Sequence, residues 1–328
     1  FNMTCSAPIA FNINFDSLAE NYGFPKDFSD PSFLGVCDRI MNLAQRYDVK
    51  LSLYVIGRDL ENPETFARVR EWAQEGHEVG NHSWSHPLDL GSLAPESIDE
   101  EIRRSHELIL KCIGTPPVGF SAPGWSTSRG VVSALIDLDY VYDTSLFPSF
   151  YYYPMVAKVA FNCLRDPARC WKALYRSDYL YPFTCTIGPH FVDRHFRKVN
   201  ATQRHHHLLI LPLPTRNRFS PACWHTIGFI FGWEYAKNLV FWMLNHKDGF
   251  YYLLHPADFF GAEECDSSFN HFEERMNVSL SEKLRRAEEM FDLITTSSRP
   301  VVTMGELAEY YYRRTANITC FDSENKAQ

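Results

Sequence analysis

The 328-residue chain reads as an α/β protein, a distorted (β/α) barrel of about seven parallel strands with one large aromatic-rich insertion. Three observations predict this. Short apolar runs alternate with longer stretches of helical periodicity, the pattern of parallel strands joined by crossover helices. Polar residues cluster at or just past the C-terminal ends of those runs: Asp16, His82, Ser121, Asp143, Thr215 and His255. In a barrel those ends converge on one mouth, where the active site lies. The length suits one barrel with insertions, and 45% hydrophobic residues supply its core.

The elements follow in order. Pro8 to Phe15 alternates apolar and polar residues and reads as the first strand, closed by Asp16 and Ser17. Asp30-Pro31 opens a helix whose inner face is Phe33, Val36, Cys37, Ile40, Leu43, Ala44 and Tyr47. Leu51, Leu53 and Val55 mark the second strand, ended by Gly57. A helix from Pro63 carries Phe66, Val69, Trp72 and Ala73, and Gly76 stops it. The third strand, Glu78 to Asn81, delivers His82. Pro95 opens a helix with Ile98, Ile102, Ser105, Ile109 and Cys112 inward. Val118 to Ser121 is the fourth strand and runs into Ala122-Pro123-Gly124-Trp125. A helix over Val131 to Leu138 leads to the fifth, Tyr140 to Tyr142. Leu208 to Pro212 and Phe250 to Leu254 are the sixth and seventh; a helix over Ser281 to Ile294 precedes a short eighth, Pro300 to Thr303. Residues 1–315 form a single domain, and the polar tail 316–328 is expected to fray.

The insertion, 146–207, breaks this rhythm. It is longer than a barrel connection needs. Tyr151-Tyr152-Tyr153-Pro154 leads into Met155, Val156, Val159, Ala160 and Leu164 at helical spacing. Trp171, Tyr175, Tyr179 and Tyr181 follow, interleaved with Lys158, Arg165, Arg169, Lys172 and Arg176. Two readings stand side by side: a helical lid on the barrel, or an interfacial surface over 150–183 that meets a membrane through its basic and aromatic residues.

Net charge is −8 with both signs interspersed, which argues against a nucleic-acid partner. Nine scattered cysteines form no CxxC pair and read as mostly free and buried, favouring a reducing compartment. Glycosylation sequons occur at Asn2, Asn81, Asn200, Asn277 and Asn317; Asn81 lies inside the candidate site, where a glycan would block access. No apolar run is long enough to span a bilayer.

The chemistry centres on Gly76-His77-Glu78-Val79-Gly80-Asn81-His82-Ser83-Trp84-Ser85-His86. Two imidazoles four apart hold one metal ion if a third ligand arrives, and Asp16, at the end of the first strand, brings a carboxylate. Such a set leaves one position open for water, as catalytic zinc sites do. Zn2+ is the first choice; Co2+ or Mn2+ fit the same ligands.

His82-Ser83-Trp84-Ser85-His86 resembles the H-[ST]-x-x-H signature of NodB-homology polysaccharide deacetylases, carbohydrate esterase family 4. Ala122-Pro123-Gly124-Trp125 is similar to the family's third motif, Tyr142-Asp143-Thr144-Ser145 to its fourth, and Leu254-His255-Pro256 to its fifth. The first motif departs: the chain reads Asn14-Phe15-Asp16-Ser17 where members have paired aspartates. The register of members with Asp-x-Asp, such as lipid-linked sugar deformylases, puts Asp16 on the metal and Asn14 at the general base. Asn14 and Asp16, two apart, then share one strand face.

An asparagine amide accepts no proton. A substitution that traps ligand, a nearby group acting instead and lost activity are three readings that stay open. His255 resembles the family's general acid, with Asp143 its expected acidic partner. Ser121 stands where members carry arginine. Ser121, Pro123, Gly124, Trp125, Tyr142 and Asp143 are the expected substrate-binding residues.

The resemblance implies metal-assisted removal of an acetyl or formyl group from an amino sugar, one carried on polyprenyl phosphate. Lys158, Arg165, Arg169 and Arg176 would then meet the phosphate. The expected location is peripheral, on the cytoplasmic face of the inner membrane, with a periplasmic or secreted protein as the alternative. The alternative functions are a deacetylase of a soluble or cell-wall polysaccharide, an allantoinase-like cyclic amidohydrolase and a non-catalytic glycan-binding relative.

Overall fold

The computed structural model describes residues 6–18, 30–162, 166–200, 205–264 and 274–325. Ten strands form one sheet: β1 Ile9–Asn14, β2 Ser52–Val55, β3 Glu78–Asn81, β4 Gly119–Phe120, β5 Tyr142–Asp143, β6 His190–Val192, β7 Lys198–Val199, β8 Leu208–Ile210, β9 Phe250–Leu254 and β10 Val301–Val302. The run β9-β1-β2-β3-β4-β5-β8 is parallel throughout, seven strands as expected. β9 lies along residues 9–13 of β1, while β10 and β2 divide its other edge. Among the described residues no ladder joins β8 to β9. Irregular chain fills that gap, where Thr215 bridges Ala222 and Trp224 bridges Leu253.

Period-two alternation sorts β1. Ile9, Phe11, Ile13 and Phe15 face the helices, Phe11 stacking on Phe291 at 4.2 Å and Phe15 on Trp72 at 5.5 Å. Ala10 joins the opposite cluster with Tyr54 and Tyr142, so Asn12 and Asn14 share the interior face with it. Helix ends follow their signals. Asn62, Ser128 and Ser279 cap helices Pro63–Gln74, Arg129–Asp137 and Leu280–Thr295. Gly114, at φ +83°, ends Pro95–Ile113 in the left-handed conformation that favours glycine.

The floor of the barrel is polar. Glu78 accepts hydrogen bonds from Tyr142 Oη (2.6 Å), Ser52 Oγ (2.8 Å) and the Gly305 amide (2.8 Å), and Tyr54 Oη lies 2.9 Å from Tyr142 Oη. One carboxylate thus ties β2, β3 and β5 to the N-terminus of the helix Met304–Asn325, where an anion also complements the helix dipole.

Several boundaries differ from the sequence expectation. The fifth strand is Tyr142–Asp143 rather than Tyr140 to Tyr142, because Tyr140 turns outward to Asn81 and His106. The helix Trp233–His246 and the β6–β7 hairpin were not anticipated. The hairpin extends the sheet antiparallel to β8 and makes the end of the insertion part of it. Strands of two and three residues are too short to show alternation. The backbone stays helical through the polar stretch 316–325. Cys37, Cys112, Cys170, Cys185 and Cys223 are free. Among the described residues no helix is long and apolar enough to cross a membrane. The Asn81 side chain is buried and donates to Ile102 O and Tyr140 Oη, which leaves no room for a glycan.

The insertion contributes helices Tyr152–Asn162, Pro167–Leu174 and Tyr181–Thr184. It packs Ala160 and Ala173 on Leu88, just past the HxxxH stretch. Leu164 and Arg165 lie outside the described residues, as does the Arg169 side chain.

Candidate metal centre and active site

β1 and β3 end side by side with β2 between them, which brings Asp16 and His82 to one place at the mouth. Asp16 Oδ1 lies 3.0 Å from His82 Nε2 and 3.2 Å from His86 Nε2. One ligand atom from each residue falls within 4.8 Å of the others. Atoms this close together can share one small cation.

The imidazoles are oriented from behind. His82 Nδ1 lies 2.5 Å from the Ser121 carbonyl. A carbonyl only accepts, so Nδ1 donates to it, and this bond turns Nε2 toward Asp16. Ser121 therefore acts through its backbone. His86 is reached by a tight turn in which Ser83 (φ +64°) and His86 (φ +59°) are both left-handed, a conformation unfavourable for such residues. Glu101, on the helix Pro95–Ile113, holds that turn by accepting from the Trp84 and Ser85 amides and Ser85 Oγ. Arg104, one turn on, stacks over Trp84 at 3.5 Å. Burial raises the Asp16 proton affinity, but the facing His86 and His82 outweigh it and hold the carboxyl well below its ordinary range.

His255 follows β9 directly. Burial pushes it down to about 4, with Asp16 pulling the other way, so the ring is neutral at pH 7. Its acidic neighbour is Asp258, not the expected Asp143. Asp258 Oδ2 accepts the His255 amide at 2.9 Å and lies 3.9 Å from its Nδ1. Burial works against the Asp258 carboxylate, but Arg275 at 3.1 Å keeps its pKa below the ordinary value. The turn after His255 is fixed by two more cations: Lys283 donates to the Ala257 and Phe260 carbonyls, and Arg39 to that of Phe259.

Asn14 is buried on the interior face, and its side-chain oxygen has no hydrogen-bond partner among the described residues. Trp125 packs edge-on against Trp224 (5.1 Å) and Phe147 (5.2 Å), and Trp224 against His255 (5.5 Å). Gly124 and Trp125 both have positive φ, and Pro123 is buried beneath them.

Two expected site residues lie elsewhere. Tyr142 is enclosed in the barrel floor with Tyr54 and Glu78, too deep to touch substrate. Asp143 is enclosed too. It accepts from Ser145 N and Oγ, and burial raises it to about 7. Thr215 donates to Asn217 O within its own loop. Arg176 is also not available for a phosphate: it is buried against Asp178 at 2.7 Å and donates to Leu88 O. Sequence reasoning missed Trp224, Asp258 and Glu101. Asp258 carried a signal, an acid three residues past a cap position. Trp224 carried none, since it reaches the site through irregular chain.

Residues 27–142 match the polysaccharide deacetylase family profile. The chain is 29% identical over 147 residues to the peptidoglycan deacetylase of Helicobacter pylori, covering 42% of this chain and 49% of that one. It is 30% identical over 95 residues to the uncharacterized protein YlxY of Bacillus subtilis, covering 29% of each. The chain thus spans half or less of these relatives. The fold is similar to that of a Mycobacterium smegmatis protein provisionally named a polysaccharide deacetylase, with a TM-score of 0.57 and 14% identity over 94% of this chain and 91% of that one.

Proposed function

We propose that the chain, whose residues 27–142 match the polysaccharide deacetylase profile, is a metal-dependent hydrolase of that kind. It removes an acetyl or formyl group from an amino sugar carried on a polyprenyl-phosphate lipid, working peripherally at the cytoplasmic face of the inner membrane. The observation that carries the reading is the meeting of Asp16 with the Nε2 atoms of His82 and His86 at 3.0 and 3.2 Å. One carboxylate and two imidazoles suit Zn2+, with Co2+ or Mn2+ admissible. When bound, such an ion polarises the acyl carbonyl and acidifies water.

The chain's own residues do the rest. His255, kept neutral by burial, takes a proton from the attacking water and returns it to the leaving nitrogen, serving both roles because Asn14 accepts none. Asp258, held by Arg275, positions it by accepting from the His255 backbone amide. The buried, unpartnered oxygen of Asn14 accepts a hydrogen bond from that water or from the substrate amide. Trp125 and Trp224 wall the sugar.

A second reading, in which the substrate is a cell-wall polymer, draws on the name of the Helicobacter relative. Incubation with a panel of N-acylated sugars, lipid-linked and polymeric, with mass detection of deacylated product, separates the two. No product from any of them in the presence of Zn2+, Co2+ or Mn2+ would favour a non-catalytic glycan binder.

A further inference from the structure

We propose that an aromatic ridge beside the mouth docks the protein onto an anionic bilayer surface. This deepens the membrane part of the reading above and rests on it for orientation only. The ridge is built from two segments, one of them outside the insertion. Phe150 meets Phe183 at 4.8 Å and Phe219 at 5.1 Å, so the loop after β8 and the helix Tyr181–Thr184 stand side by side. Arg218 locks them together through the carbonyls of Pro182 and Cys185. The side chains protrude: Phe219 is 78% exposed, Leu180 69% and Phe183 59%. A soluble surface gains nothing from apolar groups held out in this way.

Charge selects the occupant. Residues 144–233 contain eleven lysines and arginines, three aspartates and no glutamate, a net of +8 in a chain whose total is −8. Lys172 and Arg216 are exposed within it. Protruding aromatics in a basic field match the boundary of a bilayer with anionic headgroups. Position agrees. Rings touch in series from His255 through Trp224, Trp125, Phe147, Tyr152 and Tyr153 to Phe183, so an unbroken aromatic path links the ridge to the site. Docked there, the protein presents its metal centre to a sugar at headgroup level.

Flotation of the full chain with vesicles of equal parts phosphatidylcholine and phosphatidylglycerol, against phosphatidylcholine alone, tests this. The full chain is expected to float with the anionic vesicles. Leu180→Ser with Phe219→Ser is expected to weaken that association roughly tenfold or more with an unchanged thermal unfolding curve and unchanged hydrolysis of a soluble N-acetylglucosamine oligosaccharide. Failure of the full chain to float, or equal flotation of the double variant, overturns the proposal and leaves the hydrolase reading standing. So does a dimer in sedimentation velocity that the double variant dissolves, since the ridge would then belong to a second copy. Joint loss of flotation and hydrolysis overturns it as well, by making the ridge part of the sugar site.

Discussion

At the scale of single residues, the site is decided by which atoms carry protons. Ser121's carbonyl orients the His82 ring, and Asp16 faces both Nε2 atoms. Replacing Asp16 or His82 with alanine is therefore expected to abolish retention of a stoichiometric metal, measured by elemental analysis after gel filtration. Asn14 gives the opposite test. Asn14→Asp restores a proton acceptor beside Asp16 and is expected to raise kcat on an N-acylated sugar by about 10²-fold. A variant no faster than the parent would mean that a carboxylate at position 14 adds nothing to the proton transfer His255 already performs. His255→Gln keeps size and polarity but cannot shuttle a proton, and is expected to lower kcat by about 10²–10⁴-fold with little change in KM.

At the scale of elements, one turn carries His86 and another follows His255, and each is clamped by residues distant in sequence. Glu101 supports the strained 83–86 turn with three hydrogen bonds. Glu101→Ala is expected to weaken metal affinity by about 10–100-fold, measured by competition with a chelator. The turn after His255 depends on the Asp258–Arg275 pair. Asp258 titrates below its unfolded value, so its contribution to stability is full above the unfolded carboxylate range and is lost as pH falls through the folded value. Arg275→Gln removes the partner of a buried charge. It is expected to cost about 3 kcal/mol at neutral pH and to move acid unfolding to higher pH, followed by circular dichroism.

At the scale of the whole molecule, helix Met304–Asn325 closes the barrel floor through Glu78, while the insertion and the loop after β8 build one flank of the mouth. Glu78→Ala strands the hydroxyls of Ser52 and Tyr142 and the Gly305 amide, and is expected to lower unfolding free energy by about 2 kcal/mol, read from urea denaturation. The candidate metal ligands were legible in the chain because their chemistry is local: a carboxylate and two imidazoles at strand ends can be recognised once the alternation of β1 and the HxxxH spacing are seen. Tyr142 and Asp143 were misplaced because strand β5 is two residues long and its direction is set by Tyr140 turning out to Asn81, which no periodicity records. The partner of His255, the Trp224 wall and the burial of Arg176 were decided by tertiary structure alone. Each depends on which side chain fills the space left by another, across irregular chain whose path is fixed by packing and not by any repeat in the sequence.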